Sequence, residues 1–212
     1  MLLRQAGIEP VTMAPDVDEE AVIARTEAAE SRRLGADEHV LLLARLKAAD
    51  VAARVAADGF EGIVIGGDSM FEIDGEILGK PYTAQAAAQR WRRMRGRTGM
   101  LHSGHSVIRV SGGPPAEAHA VAAASVGFAA DVTDAEIDAY VASGEPLHVA
   151  GAFTIDSLGG AFIDRVEGDP STVVGMSLST VRRLTAELGV TWTDLWNRSV
   201  RSEPPAIARY PS

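Results

Sequence analysis

Apolar residues recur at helical spacing from His39 onward, at Val40, Leu43, Ala44, Leu46, Val51 and Val55, and predict a long amphipathic helix that closes near Gly59. A run of Ile63, Val64 and Ile65 follows at once and reads as a buried strand stopping at Gly66, Gly67 and Asp68. That reading puts Asp68 at the carboxyl end of a strand, where open α/β sheets leave a crevice for ligands. Residues 70–73 predict a second strand, Asp74 and Gly75 a turn, and residues 77–80 the return arm of a hairpin ahead of Pro81. Such a hairpin would bring Lys80 back toward Asp68.

The same patterns divide the rest of the chain. Residues 1–6 resemble the last turns of a helix closed by a glycine cap at Gly7, and residues 8–13 read as a short strand. An acidic turn at 15–19 leads into residues 20–33, which have helix propensity but a weak apolar face, so an exposed helix is expected there. Thr83 is placed to cap a helix through Arg95, with Ala87, Trp91 and Met94 facing inward and Gly96 ending it. Residues 100–110 read as a strand, the turn at 111–115 connects it to an antiparallel partner at 119–128, and Thr133 with Glu136 forms a capping box opening a helix through Val141. Residues 143–175 alternate glycine turns with short apolar runs, 161–166 being a strand, and a last amphipathic helix at 178–188 is closed by Gly189. Strands alternating with helices, then a meander, predict an α/β fold with a mixed sheet and a cleft between two lobes. One domain over 1–198 is expected, with a loose polar tail at 199–212.

Composition narrows the chemistry. The 212 residues carry a net charge of -9 and a pI near 5.0, which argues against sequence-independent nucleic-acid binding, and 46% hydrophobic content supports a real core. No secretory signal or membrane-length apolar run is visible, so a cytoplasmic protein with no membrane partner is expected. Cysteine is absent, which removes disulfides and thiolate metal sites. A carboxylate (Asp68) and an amine (Lys80) meeting at a glycine-lined strand end suit a metal-bound anion such as a polyphosphate; the alternative is a solvated hairpin. Lys47, midway along the long helix, reads on spacing alone as a solvated surface lysine. His102 and His105 read as surface or packing residues, and Arg92, Arg93, Arg95 and Arg97 as a solvated or cleft-facing helix face. Trp192 and Trp196 are expected to pack or to line a homodimer surface.

Seven segments, in order along the chain, then carry a resemblance: VDE at 17–19, LARLKA at 43–48, GGDS at 66–69, DGEILGKP at 74–81, EPLHVAGAF at 145–153, DSLGGAFIDRVEGD at 156–169 and VVGMSL at 173–178. Together they resemble the Maf family of nucleoside triphosphate pyrophosphatases, also known as septum formation inhibitor proteins. The resemblance implies hydrolysis of a nucleoside triphosphate between its α and β phosphates, to the monophosphate and pyrophosphate, with a divalent cation, Mg2+ or Mn2+. It implies an elongated α/β fold with a mixed sheet and a deep cleft, similar to the inosine triphosphatase group. By the same resemblance Asp68 is the central acidic residue that orients or deprotonates the attacking water near the metal. Glu19 matches an acidic active-site position beside the metal, and Lys47 and Lys80 match phosphate-contacting lysines. Ser69 stands for a frequent threonine in substrate binding.

Two departures qualify the match. The family's opening strand and its serine- and arginine-rich SxSxRR loop have no counterpart here, so the chain is expected to lack one core strand and part of the phosphate grip, whether through a late start or a truncation. A non-catalytic nucleotide-binding or cell-division protein is the corresponding alternative. Asp156 stands where many members carry glutamine, and His148 with Val149 where an Asp-Lys pair is common. An ionised aspartate only accepts hydrogen bonds, so base or phosphate recognition is expected to differ. Between the family's two substrate groups, dTTP and UTP or methylated nucleotides such as 7-methyl-GTP, the pyrimidine group is the expectation.

Overall fold

The computed structural model describes residues 2–197. Its frame is a five-stranded sheet in the order β2-β1-β3-β4-β5, with β1 Gly62–Ile73, β2 Glu76–Leu78, β3 Thr98–Val110, β4 Ala116–Phe128 and β5 Ile163–Glu167. The α/β class holds, but every ladder is antiparallel where a mixed sheet was expected. The largest difference is in β1. The two strands read on either side of Asp68 are one continuous strand, and Asp68 sits in its interior, opposite Gly104 of β3. Gly66 and Gly67 read as a break because glycine usually weakens a strand, yet in strand interiors it also marks close approach by another backbone. A Cβ on Gly66 would lie 2.4 Å from the Ala44 carbonyl oxygen, and one on Gly104 would lie 2.2 Å from that of Val40.

Those two carbonyls belong to α3 (Ala36–Ala57), the long helix expected from the apolar spacing. Val64, Ile108 and Val110 pack with its Ala48 and Ala52 on one face of the sheet. The opposite face carries two clusters. Val107 and Ala118 pack under Val181 and Leu184 of α7 (Leu178–Glu187). Phe71, Ile73, Leu101 and Phe128 pack with Trp91 and Met94 of α4 (Ala84–Met94) and with Ile137 and Tyr140 of α5 (Asp134–Ala142). Both α4 and α5 are capped by the threonines the sequence nominates, Thr83 and Thr133, the latter in a capping box with Glu136. In the aromatic cluster Phe71 meets Phe153 edge-on at 5.0 Å, Trp91 meets Tyr140 at 5.2 Å, and the Trp91 indole N–H donates to the Ala152 carbonyl at 2.7 Å. Each fully buried large side chain there contributes about 1.5–3 kcal/mol of transfer free energy.

The remaining α-helices are α1 (Leu2–Gln5), α2 (Glu19–Glu30) and α6 (Pro170–Val173). Helix α2 buries none of its residues, in keeping with its weak apolar face, and Asp18 caps it by accepting from the Ala21 N–H. Residues 8–13 do not form the expected strand; they run as irregular chain to Asp18. The strand expected at 161–166 starts two residues late, because Leu158–Phe162 coils into a 3-10 turn before β5. Arg92, Arg93, Arg95 and Arg97, on α4 and just past its end, are engaged in ion pairs. Arg93 meets Glu76 and Arg97 meets Asp74 at the hairpin tip, while Arg92 and Arg95 meet Asp138 and Asp134 of α5. Trp192 is half-buried against the α7 cluster, and Trp196 lies beside Gly7. The tail at 199–212 lies outside the described residues.

Candidate active site

The two glycine contacts decide where the charged groups fall. Because α3 lies against the sheet at Gly66 and Gly104, Lys47 is held directly over the next residue of β1 on that face, Asp68. Its ammonium reaches Asp68 Oδ1 at 2.8 Å and Glu19 Oε1 of α2 at 2.9 Å. Lys47 and Asp68 are 18% and 16% exposed, so neither is the solvated surface group that spacing alone suggests for Lys47. Glu19 is brought in by backbone ties just before α2: the Asp16 N–H donates to Asp50 Oδ2 at 3.0 Å, and Arg54 donates to the Ala14 carbonyl at 3.0 Å. Both anchors are on α3. The helix that contributes Lys47 therefore also fixes the segment that delivers Glu19.

Burial is the main influence on Asp68 and pushes its carboxyl above the ordinary aspartate value, outweighing the opposing hydrogen bond from Lys47. Burial also works against the Lys47 ammonium, but its hydrogen bonds to Asp68 and Glu19 together hold it above the usual lysine value. The result is a carboxylate more basic than usual beside a cation that stays charged.

Lys80 is not part of this contact. The hairpin turns at Asp74 and Gly75, both with positive φ, and returns along β1, but β2 stops level with Phe71, three residues short of Asp68. At about 3.3 Å per residue that is roughly 10 Å along the strand. Lys80 follows β2, exposed, with no ion pair among the described residues. Ser69, adjacent to Asp68 in an extended strand, leaves the sheet on the opposite face; its hydroxyl is 2.5 Å from that of Ser103 and 3.4 Å from the Gly175 carbonyl. Asp156 is exposed and makes no hydrogen bond among the described residues. The expected residues thus form one tight group, Asp68, Lys47 and Glu19, on the α3 face, and a looser set elsewhere.

The outer edge of β1 connects the two. A two-residue hairpin turn closes on a hydrogen-bonded pair, so Phe71 and Ile73 bond to β2, and by alternation Ile63, Ile65, Gly67 and Ser69 aim their N–H and C=O groups outward. Among the described residues none of these groups has a backbone partner. A ligand touching both Asp68 and Ser69 must cross this open edge.

Two loop anchors, Glu145 and Asp169, lie in the quoted segments but receive no role from the sequence. Glu145 accepts from Tyr140 Oη at 2.9 Å, Ser157 Oγ at 2.7 Å, the Leu158 and Gly159 amides at 3.2 and 3.1 Å, and the Thr154 hydroxyl. Burial opposes its ionisation, yet these donors bring its pKa down to about 2. Asp169 likewise gathers Ser171, Ser177 and Ser179 and fixes the loop that presents Gly175 to Ser69. The Asp-Pro-Ser run at 169–171 was the available signal, being a turn-initiating pattern. His102 and His105 are packing residues: the Ser177 N–H donates to His105 Nε2 at 2.9 Å, and His102 Nδ1 lies 2.6 Å from Asp37.

Residues 1–188 match the family model described as Maf-like protein. The chain belongs to the Maf-like protein family. It is 60% identical over 199 residues to a protein of Leifsonia xyli subsp. xyli, covering 93% of this chain and 92% of the relative. It is 50% identical over 206 residues to one of Rhodococcus jostii, covering 94% and 92%, and 53% identical over 203 residues to one of Salinispora tropica, covering 95% and 84%. All three relatives carry the name nucleoside triphosphate pyrophosphatase. In this Maf-like chain three of the seven segments, 17–19, 43–48 and 66–69, meet at the group on Asp68, with α3 lying across that face of the sheet. No helix among the described residues is long and apolar enough to cross a membrane.

Proposed function

We propose that this Maf-like protein hydrolyses nucleoside triphosphates to the monophosphate and pyrophosphate. The observation that carries the reading is Lys47 held between Asp68 and Glu19 at an open strand edge, in a family whose curated relatives bear that activity in their names. Asp68, made more basic by burial, accepts a proton from the attacking water. Lys47 exchanges a carboxylate for a phosphate oxygen and, with exposed Lys80, neutralises charge gathering on the pyrophosphate leaving group.

The donor set suits a divalent cation. Glu19 and Asp68 each place one oxygen within 2.9 Å of a single nitrogen, so their carboxylates converge, and both are hard oxygen ligands. Among the described residues no three His, Asp or Glu gather into a complete metal cage. Mg2+ and Mn2+ tolerate that, since such ions are commonly held by one or two carboxylates together with water and substrate phosphates. When bound, the cation supplies charge neutralisation at the phosphates.

The substrate we assign is a pyrimidine triphosphate, dTTP or UTP, in a house-cleaning role. Asp156, exposed and acceptor-only when ionised, suits the single N–H on the pairing edge of thymine or uracil. The test is pyrophosphate release across a nucleotide panel with Mg2+ or Mn2+. Turnover of dTTP and UTP that stops on chelation is the expected result, and exclusive turnover of 7-methyl-GTP refutes the substrate assignment. Nucleotide binding with no pyrophosphate release would instead favour a binding protein.

A further inference from the structure

Tyr82 follows β2 and is bonded to the loop whose Leu147 packs on the sheet face opposite α3. It is 65% exposed and holds φ at +60°, a left-handed conformation that bulky residues rarely adopt. Such a conformation is strained and persists only where the surroundings impose it. Here they do: the Tyr82 N–H donates to the Leu147 carbonyl at 2.9 Å, and the next residue, Thr83, caps α4. The loop that receives this bond also presents His148, exposed, with its ring edge-on to the tyrosine at 6.2 Å. That loop is held in turn by the five donors on Glu145. Two exposed aromatic rings are thus kept in place by a strained backbone and an anchored loop, although their contact with each other buries little of the tyrosine.

Lys80 lies two residues upstream, about 7 Å of extended chain. A phosphate-binding cation and a flat exposed ring at that separation match the two ends of a nucleotide. We propose that Tyr82, braced by His148, is the surface on which the nucleobase of the substrate stacks. The inference rests on the pyrophosphatase reading and adds to it the residue that tells a nucleotide from bare polyphosphate. Base–aromatic stacking is sequence-tolerant because every base offers a π-face, so Tyr82 supplies general nucleotide affinity and leaves the choice of base to neighbouring polar groups.

The experiment compares wild type, Tyr82→Phe and Tyr82→Ala by calorimetric affinity for dTTP and for inorganic tripolyphosphate, alongside pyrophosphate release from dTTP. For Tyr82→Ala, dTTP affinity is expected to fall about tenfold or more and KM to rise in step with kcat little changed. Tripolyphosphate affinity stays within twofold, and Tyr82→Phe behaves as wild type. Equal weakening of dTTP and tripolyphosphate, or no change in either, overturns the stacking role. The binding ratio is read whether or not turnover occurs, so an inactive wild type that still shows it defeats the pyrophosphatase reading alone.

Discussion

The two halves of β1 are built on opposite principles. From Phe71 to Ile73 the strand is bonded on both edges, and Phe71 and Ile73 are fully buried in an aromatic cluster. From Ile63 to Ser69 it is bonded on one edge only, carries two adjacent glycines, and holds a half-buried carboxylate under a lysine. Packing stabilises the first half. The second spends that option on close backbone approach, so that α3 can set an ammonium on Asp68. Placing both on one strand ties the geometry of the charged site to the packed aromatic core.

The two halves are expected to fail differently. The largest effect is expected from Asp68→Asn, which should lower pyrophosphate release by about 100- to 10,000-fold, the range for a general base. Its melting temperature should stay close to that of wild type. Burial raises the Asp68 pKa, so its charged form opposes folding as pH rises through that value, and a neutral asparagine does not carry this cost. Undiminished turnover would reject the assigned role.

Phe71→Ala should do the reverse, losing about 3–5 kcal/mol of stability in a denaturant titration while the surviving folded enzyme keeps its KM. Gly66→Ala tests the boundary. The added methyl would sit 2.4 Å from the Ala44 carbonyl and 2.8 Å from the Ala48 Cβ and amide, so α3 must move. A cost of about 1–3 kcal/mol is expected, with a fall in kcat beyond what the lost folded fraction explains; full specific activity would show that Lys47 need not be held so closely.

The smallest effect concerns pH. Glu145 has a folded pKa depressed to about 2, so its contribution to stability is complete above the ordinary carboxylate range and is lost as pH falls toward 2. Glu145→Gln should flatten that acid limb in thermal melts between pH 4.5 and 2 while barely moving the melting temperature difference between pH 6 and 8. An unchanged acid limb would mean that the loop donors do not depend on the charge.

Much of this was legible from residue order. The helix around Lys47, the capping threonines, the Asp74-Gly75 turn and the inward Trp91 all follow from local periodicity and cap chemistry, which act within a few residues. The family motifs named Asp68, Lys47 and Glu19, and the structure brings these three together. What failed was long-range. The break read at Gly66 assumed that glycine ends a strand, whereas α3, packed across the sheet, supplies the contact that requires glycine there. For Lys80 the pairing of the hairpin ends at Leu78, two residues earlier, and no ion pair among the described residues ties its ammonium to Asp68.

The sequence by itself determined the main helices, the threonine caps of α4 and α5, the net acidic charge and the identity of the charged residues, because these depend on composition and on neighbours along the chain. Only the tertiary structure decided that Asp68 lies inside a strand, that Lys47 covers it while Ser69 faces away, and that Tyr82 is held out in a left-handed turn. Each of those depends on groups that are distant in sequence pressing on one another, and no local pattern records that pressure.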